Sequence, residues 1–159
     1  MTTARQVIGL VVSVGICLGA AGIGSFLTTP AIAPWYANLR KPPWTPPNWL
    51  FGPVWTVLYL SMAVAAWLVW RHAGLSFARL PLTLFIIQLA LNVAWSGIFF
   101  GLRVPGAAFL EVVLLWIFIL LTAMAFWPVS RTACGLMVPY LVWVTYASAL
   151  NAAIWRLNA

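Results

Sequence analysis

Five stretches of the sequence run for about twenty residues each with almost no charge, near 6–27, 49–71, 80–101, 105–127 and 133–157. Coiled as an α-helix at about 1.5 Å per residue, such a stretch crosses the roughly 30 Å hydrocarbon core of a bilayer. Lipid tails offer the backbone no hydrogen-bond partners, so each crossing segment must close its bonds within itself, as a helix does. The five runs therefore predict an all-α integral membrane protein, a single domain over residues 1–159 made of five transmembrane helices. Composition excludes the soluble alternative. The chain is 65% hydrophobic and 6% charged, against roughly 25% charged residues in ordinary soluble domains. The first run follows Arg5 and resembles a signal sequence in polarity. Its apolar length exceeds the roughly 7 to 15 residues of a signal core, and more spans follow, so it is read as the first helix.

Eight Lys or Arg residues against one acid give a formal net charge of +7. The basic residues stand singly between apolar runs, a pattern for lipid headgroups at loops and helix ends rather than for nucleic acid. Cys17 falls inside a predicted helix and Cys134 at a helix end, so the two thiols are expected to pack rather than to pair. The breaks are Arg71-His72-Ala73-Gly74, Arg103-Val104-Pro105-Gly106 and Pro128-Val129-Ser130-Arg131. Connections this short predict that consecutive helices are antiparallel neighbours.

The first connection differs. Residues 28–48 read TTPAIAPWYANLRKPPWTPPN, with prolines at 30, 34, 42, 43, 46 and 47. Each proline holds its φ near −65°, so the segment is stiff, and Trp35, Tyr36, Trp44 and Trp49 give it broad rigid surface. It is expected to fold over the helix ends as a lid. If side A is the N-terminal side, it carries Arg5, Arg71, Arg79 and Arg131, and side B carries Arg40, Lys41, Arg103 and Arg156. The balance leaves orientation open.

Helix one carries Gly15 and Gly19 at GxxxG spacing and Ala20 and Gly24 as a second small pair. Both permit close backbone approach and are expected to serve packing within the subunit, with a homodimer seam on this or another helix left open.

Polar side chains inside hydrocarbon mark function by default. Trp55, Trp95, Glu111 and Asn151 each fall about six residues from the side B end of their helix, roughly 9 Å deep. In helix three, Gln88, Asn92, Trp95 and Phe99 recur at helical spacing; Trp55, Tyr59, Met62 and Ala66 do so in helix two, and Tyr140, Trp143, Ala147 and Leu150 in helix five. These faces predict an aromatic and amide-lined cavity opening toward side B beneath the proline-rich loop. Pro139 is expected to bend helix five and widen it. Glu111 is expected to be structural, either neutral or paired with Arg103 or Arg156. With no Asp, one Glu and one His, neither a Ser-His-Asp triad nor paired carboxylates can be assembled, and neither metal-ligand spacing nor a phosphate loop occurs. His72 is expected to snorkel to headgroups. No cofactor is expected and no conventional enzyme chemistry.

The stretches WYANLRKPPWTPPNWLFGPVWTVLY at 35–59, QLALNVAWSGIFFG at 88–101 and PYLVWVTYASALNAAIW at 139–155 resemble the translocator protein family, also called tryptophan-rich sensory proteins or peripheral-type benzodiazepine receptors. The resemblance runs over nearly the whole chain. It implies a five-helix bundle, commonly dimeric, that binds porphyrins such as protoporphyrin IX and haem intermediates, sterols in animal members, and benzodiazepine-site ligands. Matched by motif, the implied pocket falls on Trp95, Ala107, Glu111, Trp143, Ala147 and Leu150, roofed by Trp44, Thr45, Pro46 and Pro47. Trp55 and Trp143 match the tryptophans that the resemblance connects with light-dependent porphyrin breakdown. Position 107 is Trp in animal members and Ala here, and the acid at 111 is usually Asp. Of the animal sterol motif, Leu150 and Arg156 are present, but Ala152 stands where Tyr is expected.

The expected function is a membrane receptor or sensor that holds a porphyrin or another bulky apolar ligand among tryptophans, with carboxylates met by Arg40, Lys41 or indole N–H groups. Two rivals are porphyrin photodegradation through Trp55 and Trp143, and proton-coupled export of lipophilic compounds through Glu111.

Overall fold

The computed structural model describes residues 2–159. Its long helices are α1 (Thr3–Ile32), α2 (Asn48–Phe77), α3 (Arg79–Ser96), α4 (Pro105–Phe126) and α5 (Arg131–Asn158), and a π-helical turn, Gly97–Gly101, prolongs α3. All five are long and apolar enough to cross a membrane, which makes the chain a multi-pass integral membrane protein. The described residues contain no strand.

Several bounds differ from the expectation, each for a local reason. α1 continues to Ile32 through Pro30, because a proline near a helix end removes only one ladder bond and leaves the last turn to close. The connection to α2 is accordingly shorter than 28–48 and contains a single short 3-10 turn, Tyr36–Asn38. The break expected at residues 71–74 shrinks to one residue. Gly74 takes φ 67°, ψ 174°, a backbone state that costs a side-chain-bearing residue but not glycine, and helical turns continue on both sides to Phe77. α5 is continuous through Pro139.

Capping and back-bonding explain how these segments tolerate lipid. Ser130 accepts from the Ala133 amide at 3.2 Å, capping α5, and Pro105 opens α4, where its missing N–H costs nothing. The hydroxyls of Thr56, Thr122, Thr145 and Ser148 each donate to the carbonyl four residues earlier, so no hydroxyl proton among them is left facing hydrocarbon.

The helices form a ring in the order α1, α2, α5, α4, α3, closing on α1. α2 and α3, joined by a short link and expected to be flanking neighbours, touch one another only to a smaller extent: α2 packs mainly on α1 and α5, and α3 mainly on α4 and α1. The core is built from Met62, Val69, Leu115, Ile119, Phe126 and Met137, all essentially inaccessible.

α1 is the least embedded helix, burying Cys17, Gly24 and Ala31 at every seventh position. Its side A half is fastened to α2. Trp67 Nε1 donates to the Gln6 carbonyl at 2.9 Å, Ser13 Oγ donates to the Ala63 carbonyl at 2.7 Å, and Trp70 lies directly against Gly9. Of the small-residue pairs, Ala20 and Gly24 face inward, and a Cβ on Gly24 would sit 3.5 Å from Ser96 Oγ. Gly15 and Gly19 are exposed with nothing near their Cβ positions, so they do not serve packing within the subunit as expected. Close approach is instead required at Gly106, where a Cβ would meet the Trp155 indole at 2.9 Å.

Candidate ligand cavity

In the side B half of the bundle, α1, α2, α3 and α5 enclose a cavity of about 640 Å³, within the roughly 300–1,000 Å³ typical of small-molecule sites. α3 and its π turn present Asn92, Trp95 and Phe99 to it, α2 presents Trp55 and Tyr59, and α5 presents Trp143, Ala147, Leu150 and Asn151. These side chains recur at helical spacing, so each set falls on one face. The π turn at Gly97–Gly101 adds a residue to the last turn of α3 and places both Phe99 and Phe100 in the wall.

The cavity's polar groups are largely paired with each other across helices. Tyr59 Oη donates to Asn92 Oδ1 at 2.7 Å, and Asn92 Nδ2 donates to Tyr140 Oη at 2.6 Å, joining α2, α3 and α5. Nearer side B, Trp95 Nε1 donates to Asn151 Oδ1 at 3.0 Å, and Asn151 Nδ2 donates to the Pro105 carbonyl at 2.8 Å. Trp95 and Asn151, predicted to share a depth, thus touch. Satisfying these amides and phenols internally leaves rings as the main surface that α2 and α3 turn to the cavity. Trp95 stacks on Phe99 at 5.2 Å, Trp55 lies 5.8 Å from the Tyr59 ring and 6.1 Å from that of Tyr140, and Trp143 sits 5.9 Å from Phe51. Trp143 Nε1 is buried without a hydrogen-bond partner among the described residues, a donor on a cavity-lining side chain.

Other sequence-predicted residues lie elsewhere. Tyr140 and Gln88 are fully buried beneath the cavity faces, Tyr140 in the network above and Gln88 with its Nε2 3.8 Å from Met62 Sδ. Ala107 is exposed and Glu111 half-buried on α4, and neither lines the cavity. Of the two states expected for Glu111, neutral or paired with Arg103 or Arg156, the pairing is not formed: neither carboxyl oxygen has a hydrogen-bond partner among the described residues. Trp44, Thr45, Pro46 and Pro47 do not line the cavity either. Their loop is anchored to α5: Tyr146 Oη donates to the Trp44 carbonyl at 2.8 Å, and Asn158 bonds both the amide and the carbonyl of Arg40 at 3.0 and 2.9 Å. Lys41 does not reach out for a carboxylate, because its Nζ donates to the carbonyls of Tyr36, Ala37 and Leu39. It also lies 4.8 Å from the centre of the Tyr36 ring. Burial, and secondarily Tyr146, raises the Tyr36 phenol above its ordinary value, so that ring stays neutral beside the ammonium.

Sequence reasoning missed α1. Ala21, Gly22, Gly24, Ser25 and Thr28 supply a whole wall; the signal was present in the small residues of this helix, of which Gly24 was read as packing rather than as room. Tyr36 also lines the cavity, with its ring 5.6 Å from that of Phe100. Among the described residues no three of His, Cys, Asp or Glu come together as a metal site. The arrangement can surround a flat apolar molecule with rings and offer it few polar contacts.

The chain is similar in sequence to known proteins over most of its length. A family model described as the TspO/MBR family matches residues 13–156. The chain is 44% identical over 158 residues to the tryptophan-rich protein TspO of Chlorobaculum tepidum, covering 97% of this chain and 98% of that one. It is 44% identical over 126 residues to the translocator protein of Homo sapiens, covering 78% and 75%, and 40% identical over 141 residues to the tryptophan-rich sensory protein of Cereibacter sphaeroides, covering 87% of each. Five apolar helices around a tryptophan-lined cavity, and a family match over nearly the full length, place this chain in the TspO/MBR family.

Proposed function

We propose that the protein is a membrane-embedded receptor that binds porphyrins and other bulky apolar molecules in the cavity between α1, α2, α3 and α5, and so takes part in sensing, sequestering or moving tetrapyrroles. The observation that carries this reading is the wall itself: Trp55, Trp95, Phe99 and Trp143 surround about 640 Å³. A planar macrocycle gains from indole and phenyl faces through offset stacking, at about 0.5–1.5 kcal/mol per ring pair beyond its area burial. The buried Nε1 of Trp143 supplies one directional donor for an acceptor on the ligand.

Titrating the purified protein with protoporphyrin IX while following tryptophan fluorescence tests the proposal. Saturable quenching is expected, with affinity lowered at least about ten-fold, or about 1.4 kcal/mol, in a Trp95→Ala, Trp143→Ala double variant. Quenching and affinity unchanged by that variant would remove the site. A second reading rests on Trp55 and Trp143 lining the same space: under illumination and oxygen the bound porphyrin is degraded with those indoles as redox partners. A bilin-like absorbance should then grow in on illumination, and an unaltered rate in Trp55→Phe counts against it.

A further inference from the structure

The cavity wall is not continuous. Gly22, Ser25 and Thr29 of α1 and Trp49, Gly52 and Thr56 of α2 all line the cavity and are all exposed, whereas the wall residues of α3 and α5 are buried or half-buried. Exposed wall residues confined to two adjacent helices mark where the wall is open, in the flank between α1 and α2. Residues 37–47 take no part in it, since none of them lines the cavity.

The packing of α1 explains why the gap is there. In its side A half, α1 is tied to α2 through Gln6, Gly9 and Ser13. In its side B half it leans the other way, toward the π turn of α3, where Leu27 lies 3.7 Å from the Cβ position of Gly97. Joined to α2 near side A and to the π turn of α3 near side B, α1 leaves a wedge beside α2 in the side B half, where the exposed wall residues lie. Two glycines stand in the wedge, Gly22 and Gly52, and nothing lies within 4 Å of the Cβ position of either. The rim also suits lipid. Thr29 Oγ1 donates to the Ser25 carbonyl and Thr56 Oγ1 to the Gly52 carbonyl, so both hydroxyl protons are satisfied within their own helices.

We infer that the α1–α2 wedge is the ligand's doorway, and that the cavity is filled sideways by apolar molecules dissolved in the bilayer rather than from water through the proline-rich loop. This rests on the reading of the cavity as a binding site, and it assigns the class of ligand as one that partitions into membrane before it binds. The route has a physical logic. A molecule apolar enough to prefer these walls is already concentrated in the hydrocarbon, and lateral access spares it passage through water and past the fastened loop.

A test independent of any particular ligand uses a thiol on the far wall. In a Cys17→Ala, Cys134→Ser background, Ala147→Cys is placed in proteoliposomes and labelled with either a bilayer-dissolved apolar maleimide or a water-soluble, impermeant one present on both faces. The apolar reagent is expected to react faster. Gly22→Phe with Gly52→Phe should slow that reaction about ten-fold or more, and Tyr146→Phe, which loosens the loop from α5, should leave it unchanged. The open space at both Cβ positions lets the bundle fold around the new rings. The single variants Gly22→Leu and Gly52→Leu, each checked for an unaltered unfolding midpoint, give the same comparison with less bulk. The doorway is overturned if folded wedge variants label at the parent rate, or if the impermeant reagent is faster and Tyr146→Phe speeds it. Lateral labelling together with no porphyrin quenching would refute the porphyrin reading of the cavity and leave the doorway standing.

Discussion

At the scale of single residues, the side chains that matter most are those whose polar atoms lie among hydrocarbon. Asn92 is the shared partner of two phenols, accepting from Tyr59 and donating to Tyr140. Truncating it strands both. Stranded polar groups cost about 1–3 kcal/mol each in soluble proteins, whereas interhelical bonds measured in a membrane average about 0.6 kcal/mol. Asn92→Ala is therefore expected to destabilise the bundle by about 1–2 kcal/mol, read as a lower midpoint in a denaturing-detergent titration, while Asn92→Gln loses less. Glu111 presents the opposite case. Its carboxylate oxygens are buried and unpartnered, so the fold gains nothing from them and bears their desolvation. Glu111→Leu is expected to raise the unfolding midpoint and leave porphyrin quenching unchanged, since residue 111 is not in the wall. The polar periodicity of α3 was readable from sequence because a face at helical spacing needs only the chain's own geometry. The partner of each amide was not readable, because it sits on another helix.

At the scale of elements, α1 and the loop after it depart furthest from expectation. Spacing identified α1 as a small-residue helix, but which of its small residues meet a neighbour depends on where α2 and α3 lie. The result is that Gly24 packs, Gly22 opens onto the cavity, and Gly15 and Gly19 face outward. Gly9 is the element's firmest contact, with the Trp70 ring against it. Gly9→Val should push that indole aside, lower the unfolding midpoint and speed hydrogen exchange in the side A half of α1 ahead of the other helices. In the loop, Lys41 gathers three carbonyls at the end of the 3-10 turn. Lys41→Met leaves them to water, and exchange or proteolysis within residues 35–47 should accelerate while the bundle's midpoint holds. A lysine caught by its own loop has no sequence signature, which is why it reads as a free cation from composition alone.

At the scale of the whole molecule, the ring order α1, α2, α5, α4, α3 decides what the cavity is. It seats the aromatic faces of α2, α3 and α5 opposite α1, the helix with the smallest side chains, and space is left where large rings meet small residues. Filling that space separates binding from folding. Ala147→Trp, on the wall and only half-buried, should weaken porphyrin affinity by about ten-fold or more, at least about 1.4 kcal/mol, with the unfolding midpoint unchanged or raised. A large loss of stability in place of a loss of affinity would show the space to be smaller than the wall implies.

What the sequence determined by itself follows from rules local to the chain. Run length and charge depletion set the membrane class and the number of spans, and helical spacing set which face of α2, α3 and α5 turns inward. The tertiary structure alone decided that α1 closes the fourth side, that Glu111 and the Trp44–Pro47 stretch stand outside the wall, and that the exposed part of the wall falls on α1 and α2. A repeat every 3.6 residues or so fixes the direction in which a side chain points from its own axis. Which helix stands there to receive it, and how much room is left between them, depends on close packing among all five.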